Sequence, residues 1–117
     1  WVVADLAALH AGIVTVPLPG FFTPAQREHA MRDAGVGHVI DATDRDAAAD
    51  MRLAGTSCVL RRVGSVAAAA LPAGTAKITY TSGTTGTPKG VCLSAAHQDA
   101  VASSLAQAVR FGGDDRH

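Results

Sequence analysis

Hydrophobic positions near the start of the chain repeat with the period of a helix. They lie four, three and four positions apart, at Val2, Leu6, Leu9 and Ile13. Gly12 is expected to end this helix. The β-branched run at 14–18 contains one proline and is followed by a second, so it predicts a short strand that enters a loop.

The second predicted helix has the clearest start signal in the chain. Thr23 can cap it, Pro24 suits its first position, and Gln26 can complete a capping box. We expect this helix to reach residue 34, with Gly35 as its left-handed stop.

Predicted strands and helices alternate along the rest of the chain. The further elements are a strand at 38–41, a helix at 43–54 closed by Gly55, a strand at 57–60, extended segments at 77–81 and 91–93, and a helix from 94 to about 110. This alternation favours parallel pairing through right-handed crossovers. The predicted fold class is therefore α/β, with parallel βαβ units in an incomplete sheet.

The chain divides into three predicted parts. Residues 1–63 form a βαβ region, residues 64–75 form an Ala-, Gly- and Pro-rich loop, and residues 76–117 hold a strand, a polar loop and a helix. The helical pattern begins at Trp1 with no lead-in, and the chain stops in polar residues. We therefore expect a piece of a longer protein, which could self-associate through the surfaces that the cut exposes.

Composition and charge narrow the function classes. The net charge is zero at pH 7, which argues against a basic nucleic-acid-binding or membrane-surface protein. No apolar run approaches the roughly 20 residues that span a bilayer, and no signal-peptide pattern opens the chain. Cys58 and Cys92 are too few for a disulfide framework. A cytoplasmic α/β protein is the expectation.

The segment from Thr81 to Gly90 carries the strongest chemical signal. It holds five hydroxyl side chains, three glycines and Lys89, one of only two lysines in the chain. Glycines let backbone N–H groups approach an anion closely. Hydroxyls can donate to phosphate oxygens or bind Mg²⁺, and lysine adds a positive charge. The segment is therefore a candidate phosphate-binding loop rather than an ordinary Gly/Thr turn.

This segment is not an ordinary P-loop. Lys89 is followed by Gly90, so the Ser or Thr that would bind magnesium in G-x-x-x-x-G-K-[ST] is missing. Pro88 disfavours a helical conformation at Thr87. We expect the phosphate to be held by a loop between two extended segments, not by a helix N-terminus.

The same residues resemble the signature loop of adenylate-forming enzymes, which include acyl-CoA synthetases, peptide-synthetase adenylation domains and luciferases. The stretch that resembles this loop is Tyr80, Thr81, Ser82, Gly83, Thr84, Thr85, Gly86, Thr87, Pro88, Lys89, Gly90 and Val91. Residues 1–17 and 23–40 resemble the helix-strand units upstream of it in that family. The resemblance implies the N-terminal domain of such an enzyme, most similar to an acyl-CoA synthetase.

The resemblance also implies a reaction and a role for each site residue. A carboxylate attacks the α-phosphate of ATP, and a thiol, usually of coenzyme A, then accepts the acyl group. Residues Ser82, Gly83, Thr84, Thr85, Gly86, Thr87, Pro88, Lys89 and Gly90 would hold the β- and γ-phosphates, and Thr81 would help to place Mg²⁺. The expected partners are ATP and a carboxylic acid. The other motifs of the family have no counterpart here, so we expect the chain alone to be inactive.

Two alternatives stay open on the sequence. The chain could be a non-catalytic module that binds a nucleotide or phosphate, or an α/β interaction domain whose loop binds nothing. Outside the loop, Asp41, Asp44 and Asp46 are interpreted as capping or solvated residues. The scattered histidines are interpreted as surface or satisfied side chains, and the cysteines as buried thiols.

Overall fold

The computed structural model describes residues 1–42, 51–63, 69–81 and 86–110. Its elements are α1 (Val2–His10), α2 (Pro24–Asp33), β1 (His38–Ala42), β2 (Met51–Leu53), β3 (Thr56–Arg62), β4 (Thr75–Thr81), β5 (Lys89–Ser94) and α3 (Ala95–Val109). The α/β class is confirmed as a mixture of helices and strands. The predicted division into three parts stays a prediction.

The strands form two small antiparallel sheets. One has the order β1–β3–β2, and the other contains β4 and β5. The expected parallel pairing is therefore wrong for all these strand pairs. A parallel pair needs a crossover of a dozen or more residues, whereas a two-residue turn joins β2 to β3 and residues 82–88 join β4 to β5.

The predicted helix at 43–54 is wrong at its C-terminal end. Residues 43–50 lie outside the described part, but Met51–Leu53 is strand β2. Ala54 and Gly55 follow it with φ values of 48° and 84°. Two consecutive positive φ angles are what a two-residue hairpin turn requires. Gly55 therefore reverses the chain between two strands rather than ending a helix.

The predicted strand at 14–18 is reduced to a single parallel bridge between Thr15 and Lys77. The Thr15 N–H donates to Ala76 at 3.1 Å, and the Ile78 N–H donates to Thr15 at 2.8 Å. Pro17 and Pro19 have no N–H to continue such a ladder. The segment therefore stays beside β4 without becoming a regular strand.

The capping signals of the second helix are confirmed. The Thr23 hydroxyl accepts from the Gln26 N–H at 3.3 Å, and the Gln26 side chain accepts from the Thr23 N–H at 3.0 Å. The helix ends before Gly35, whose φ is +65°. Both of its ends are therefore fixed by local sequence, which gives the chain one well-defined rigid element.

The core lies between α2 and the β4–β5 hairpin. Its buried members are Phe22, Ala30, Ile78 and Tyr80. Ala30 is fully buried, so the helix backbone lies close against the strands. Helices α1 and α3 bury no residue, and several of their large apolar side chains are exposed. The packed part of the described structure is thus the region between α2 and the β4–β5 hairpin.

A polar contact fastens α1 to the same hairpin. The Asp5 carboxylate accepts from the Thr15 hydroxyl at 2.9 Å and forms an ion pair with Lys77 on β4. Burial alone would raise the pKa of Asp5, but the hydrogen bonds from Lys77 and Thr15 and the Lys77 charge lower it overall. The side chains of Lys77 and Asp5 are only 18% and 17% exposed, so water screens this pair poorly.

Candidate functional site

The predicted phosphate-binding segment is carried by the β4–β5 hairpin. The strand register ends with Thr81 opposite Lys89, and residues 82–88 connect the two. This confirms the expectation that extended segments flank the loop. Of the predicted site residues, Ser82, Gly83, Thr84 and Thr85 lie outside the described part of the chain. Their contribution to phosphate binding stays a prediction.

Thr81 and Lys89 face each other at the open end of the hairpin. Both are exposed, and directly opposed residues have Cβ atoms about 5 Å apart. Within the described ranges, the Lys89 ammonium forms no ion pair. The hairpin therefore carries a hydroxyl and a positive charge on directly opposed residues, and these are groups that can bind a magnesium ion and a phosphate.

Gly86 and Thr87 can offer backbone N–H groups at this end of the hairpin. Gly86 has a φ of +77°, and both Gly86 and Thr87 are exposed. A positive φ lets successive backbone N–H groups turn toward one point. Pro88, by contrast, is buried. The segment therefore returns into the fold at Pro88 and leaves Gly86 and Thr87 toward solvent.

Gly90 is required by a close approach across the hairpin. It pairs with Tyr80, whose ring lies over it. A Cβ at Gly90 would lie 3.0 Å from Tyr80 Cζ and 3.1 Å from Ile78 Cγ2. The glycine therefore makes room for an aromatic ring that covers its backbone, and this packing fixes the strand that leads out of the loop.

Helix α2 contacts the hairpin on both sides of the loop. The Tyr80 hydroxyl donates to the Asp33 carboxylate at 2.6 Å. On the other strand, the His29 Nε2 lies 3.1 Å from the carbonyl oxygen of Pro88. A carbonyl can only accept, so this nitrogen is the one that carries the proton. His29 is thus a satisfied histidine, as the sequence indicates, but its partner Pro88 and the contact of Asp33 with Tyr80 have no signal in the sequence.

The environment of Tyr80 keeps its hydroxyl protonated. Burial raises the pKa of Tyr80 well above its ordinary value, and the hydrogen bond to Asp33 and the charge of that carboxylate raise it further. The hydroxyl therefore remains a donor at any physiological pH. Its hydrogen bond to Asp33 therefore ties β4 to α2.

In the described ranges, no group of three His, Cys, Asp or Glu side chains could hold a metal ion. Asp41 lies on β1 and pairs with Arg61 at 2.5 Å, whereas Asp44 and Asp46 fall outside the described residues. Cys58 is buried, in agreement with its interpretation as a buried thiol; Cys92 is only partly buried. No helix in the described ranges is long and apolar enough to cross a membrane.

Comparison with known proteins agrees with the motif. The sequence profile of the AMP-binding enzyme family matches residues 1–117, so the chain belongs to this family. A curated relative, FR901469 synthetase of Dothideomycetidae sp. (strain 11243), is 35% identical over 123 aligned positions, which cover 95% of the chain. The chain spans 1% of the length of that relative. No solved structure matches the chain significantly.

Proposed function

We propose that this chain supplies the ATP phosphate-binding part of an adenylate-forming ligase. The observation that carries the proposal is the hairpin end, where Lys89, unpaired among the described residues, lies opposite Thr81. Membership of the AMP-binding enzyme family supports the use of ATP by the parent enzyme. The hydroxyl-rich residues between the two strands would complete the phosphate cradle.

The proposed reaction assigns an electrostatic task to these residues. A carboxylate oxygen of the substrate attacks the α-phosphorus of ATP while the bond to the bridging oxygen breaks, giving an acyl-adenylate and pyrophosphate. Lys89 would neutralise the charge that develops on the leaving pyrophosphate, and Thr81 would help to place Mg²⁺. Donors fixed in advance at a developing charge lower the barrier without reorganising during the step.

A second step would transfer the acyl group from the adenylate to a thiol. The thiol sulfur would attack the acyl carbon, the thioester bond would form, and AMP would leave. Coenzyme A is the acceptor that the resemblance to acyl-CoA synthetases supports. A carrier-bound thiol is equally compatible with the name of the relative, FR901469 synthetase.

Direct binding of magnesium pyrophosphate tests the first step of the proposal. We expect titration calorimetry to show saturable binding to the wild-type chain, and Lys89→Ala to weaken it by about tenfold or more, because a charge-assisted hydrogen bond is lost. Arg62→Ala removes an exposed cation from β3 and serves as the matched control.

Two results would contradict the proposal. One is the absence of any binding by a folded wild-type chain. The other is an equal loss of affinity in Lys89→Ala and Arg62→Ala, which would indicate attraction to overall charge rather than a site on the hairpin.

A further inference from the structure

Two polar side chains of α2 hold the two strands that carry the candidate loop. His29 and Asp33 lie four positions apart, one helical turn, and therefore project from the same face. Asp33 accepts from Tyr80, the residue before Thr81, and His29 donates to Pro88, the residue before Lys89. The contacts join segments that are 47 and 59 positions apart in the chain.

We propose that His29 and Asp33 are positioning residues that set the distance and direction of Thr81 and Lys89 for phosphate binding. This inference rests on the function proposed above. Neither side chain needs to touch the nucleotide. Each acts on the residue directly before Thr81 or Lys89, so a small shift of either contact moves that phosphate-binding residue.

The helix is suited to this role because it is rigid and closely packed. Its N-terminus is closed by the reciprocal bonds of Thr23 and Gln26. Ala30, which follows His29, is fully buried against the core with Tyr80. The two polar contacts therefore extend from a fixed platform, and the hairpin end cannot tilt without breaking one of them.

The contacts also reduce what phosphate binding must order. An unanchored segment loses backbone entropy of roughly 1–2 kcal/mol per residue when it is fixed. The residues next to Pro88 and Tyr80 are already held before a ligand arrives. Preorganisation of this kind increases affinity without adding a contact to the ligand.

The experiment compares His29→Ala, its conservative variant His29→Gln, and Tyr80→Phe in the 117-residue chain. Tyr80→Phe removes the hydroxyl and preserves the ring, so the second contact is tested even if a histidine variant folds poorly. His10→Ala changes an exposed histidine on α1 and is the matched control. Two readouts are used: affinity for magnesium pyrophosphate by calorimetry, and backbone order at Thr87 and Lys89 by ¹⁵N relaxation without ligand.

We expect His29→Ala and Tyr80→Phe each to bind pyrophosphate about fivefold more weakly, the loss of one ordinary hydrogen bond. The order parameter at Thr87 and Lys89 should fall in His29→Ala from roughly 0.85 toward 0.6. His29→Gln, which can still donate to the Pro88 carbonyl, should recover part of both losses. The control should match the wild type in both.

Three outcomes would overturn a proposal, and each identifies which one. If the wild type binds pyrophosphate and His29→Ala and Tyr80→Phe bind it equally well, the positioning role is wrong and the proposed function stands. The same conclusion follows if backbone order falls in the variants while affinity does not. If the folded wild type binds no pyrophosphate, the proposed function fails and the positioning role with it, whatever the relaxation data show.

Discussion

Gly90→Ala is expected to destabilise the chain, although the substitution adds only one methyl group. The new Cβ would meet Tyr80 Cζ at 3.0 Å, the Tyr80 hydroxyl at 3.1 Å and Ile78 Cγ2 at 3.1 Å. An aromatic side chain at the surface could move aside to make room for the methyl group. Tyr80 cannot do so easily, because it is only 4% exposed and its hydroxyl is bonded to Asp33, and Ile78 is only 3% exposed. Neither neighbour can yield without disturbing the core.

Two opposing effects determine how much Gly90→Ala lowers the free energy of unfolding. Forcing a methyl group into a filled core costs about 1–3 kcal/mol. Replacing glycine by alanine restricts the unfolded chain and returns about 0.4–1 kcal/mol, where the backbone allows it. The free energy of unfolding should therefore fall by about 1–2 kcal/mol. Part of that loss should appear as a weakened contact between Tyr80 and Asp33.

Urea denaturation followed by far-UV circular dichroism measures this loss. Gly37→Ala is the matched control, because a Cβ at Gly37 would have no neighbour within 4 Å. Combining Gly90→Ala with Tyr80→Leu removes the ring atoms that the methyl group would meet, so the cost of the glycine substitution should shrink in that background. The reasoning is refuted if Gly90→Ala and Gly37→Ala have the same stability, or if Tyr80→Leu leaves the cost unchanged.

Three further predictions concern other contacts. Asp5→Asn should lower the free energy of unfolding at pH 7 by about 2 kcal/mol, since hydrogen bonds to a charged group are lost. The pKa of Asp5 is lowered in the fold. The difference in stability between Asp5→Asn and wild type should therefore shrink as the pH falls below about 3.9, the usual pKa of aspartate. Tyr80 is the only tyrosine, so phenolate absorbance reports on it alone. Because its pKa is raised in the fold, the stabilisation that its protonated hydroxyl contributes is complete below pH of about 10 and is lost progressively as the pH rises further. Ionisation of Tyr80 should therefore coincide with alkaline unfolding. Thr23→Ala should cost about 1 kcal/mol in urea denaturation, while Thr23→Ser, which keeps the cap, should cost less.

The features that could be predicted from the sequence are those with local causes. The capping box at Thr23 and the left-handed Gly35 depend on residues within one turn of the helix, and both are confirmed. The signature segment is equally local, since it can be recognised from consecutive residues. Its family membership is confirmed by comparison, and its phosphate-binding role stays a prediction.

The features that were missed have either an ambiguous local pattern or contacts between distant segments. An alternation of strands and helices predicted parallel pairing, but the turn at Ala54 and Gly55 brings β3 back beside β2. The hydrophobic periodicity could not reveal this hairpin, because the Ala-rich sequence before it also fits a helix. His29 and Asp33 have no local signature for their partners, which lie 59 and 47 positions away. Only their spacing of four hinted at a shared face.

The different surroundings of Lys77 and Lys89 give the two lysines different reactivity toward amine-specific reagents. The Lys77 ammonium is held by Asp5 in a partly buried pair, whereas Lys89 is exposed at the end of the hairpin. An acylating reagent should therefore modify Lys89 and largely spare Lys77. Lys89 can therefore serve as a built-in footprinting probe. A ligand that covers the end of the hairpin would protect Lys89 from labelling, and the mass of the peptide that contains Lys89 would report the fraction of chains with ligand bound.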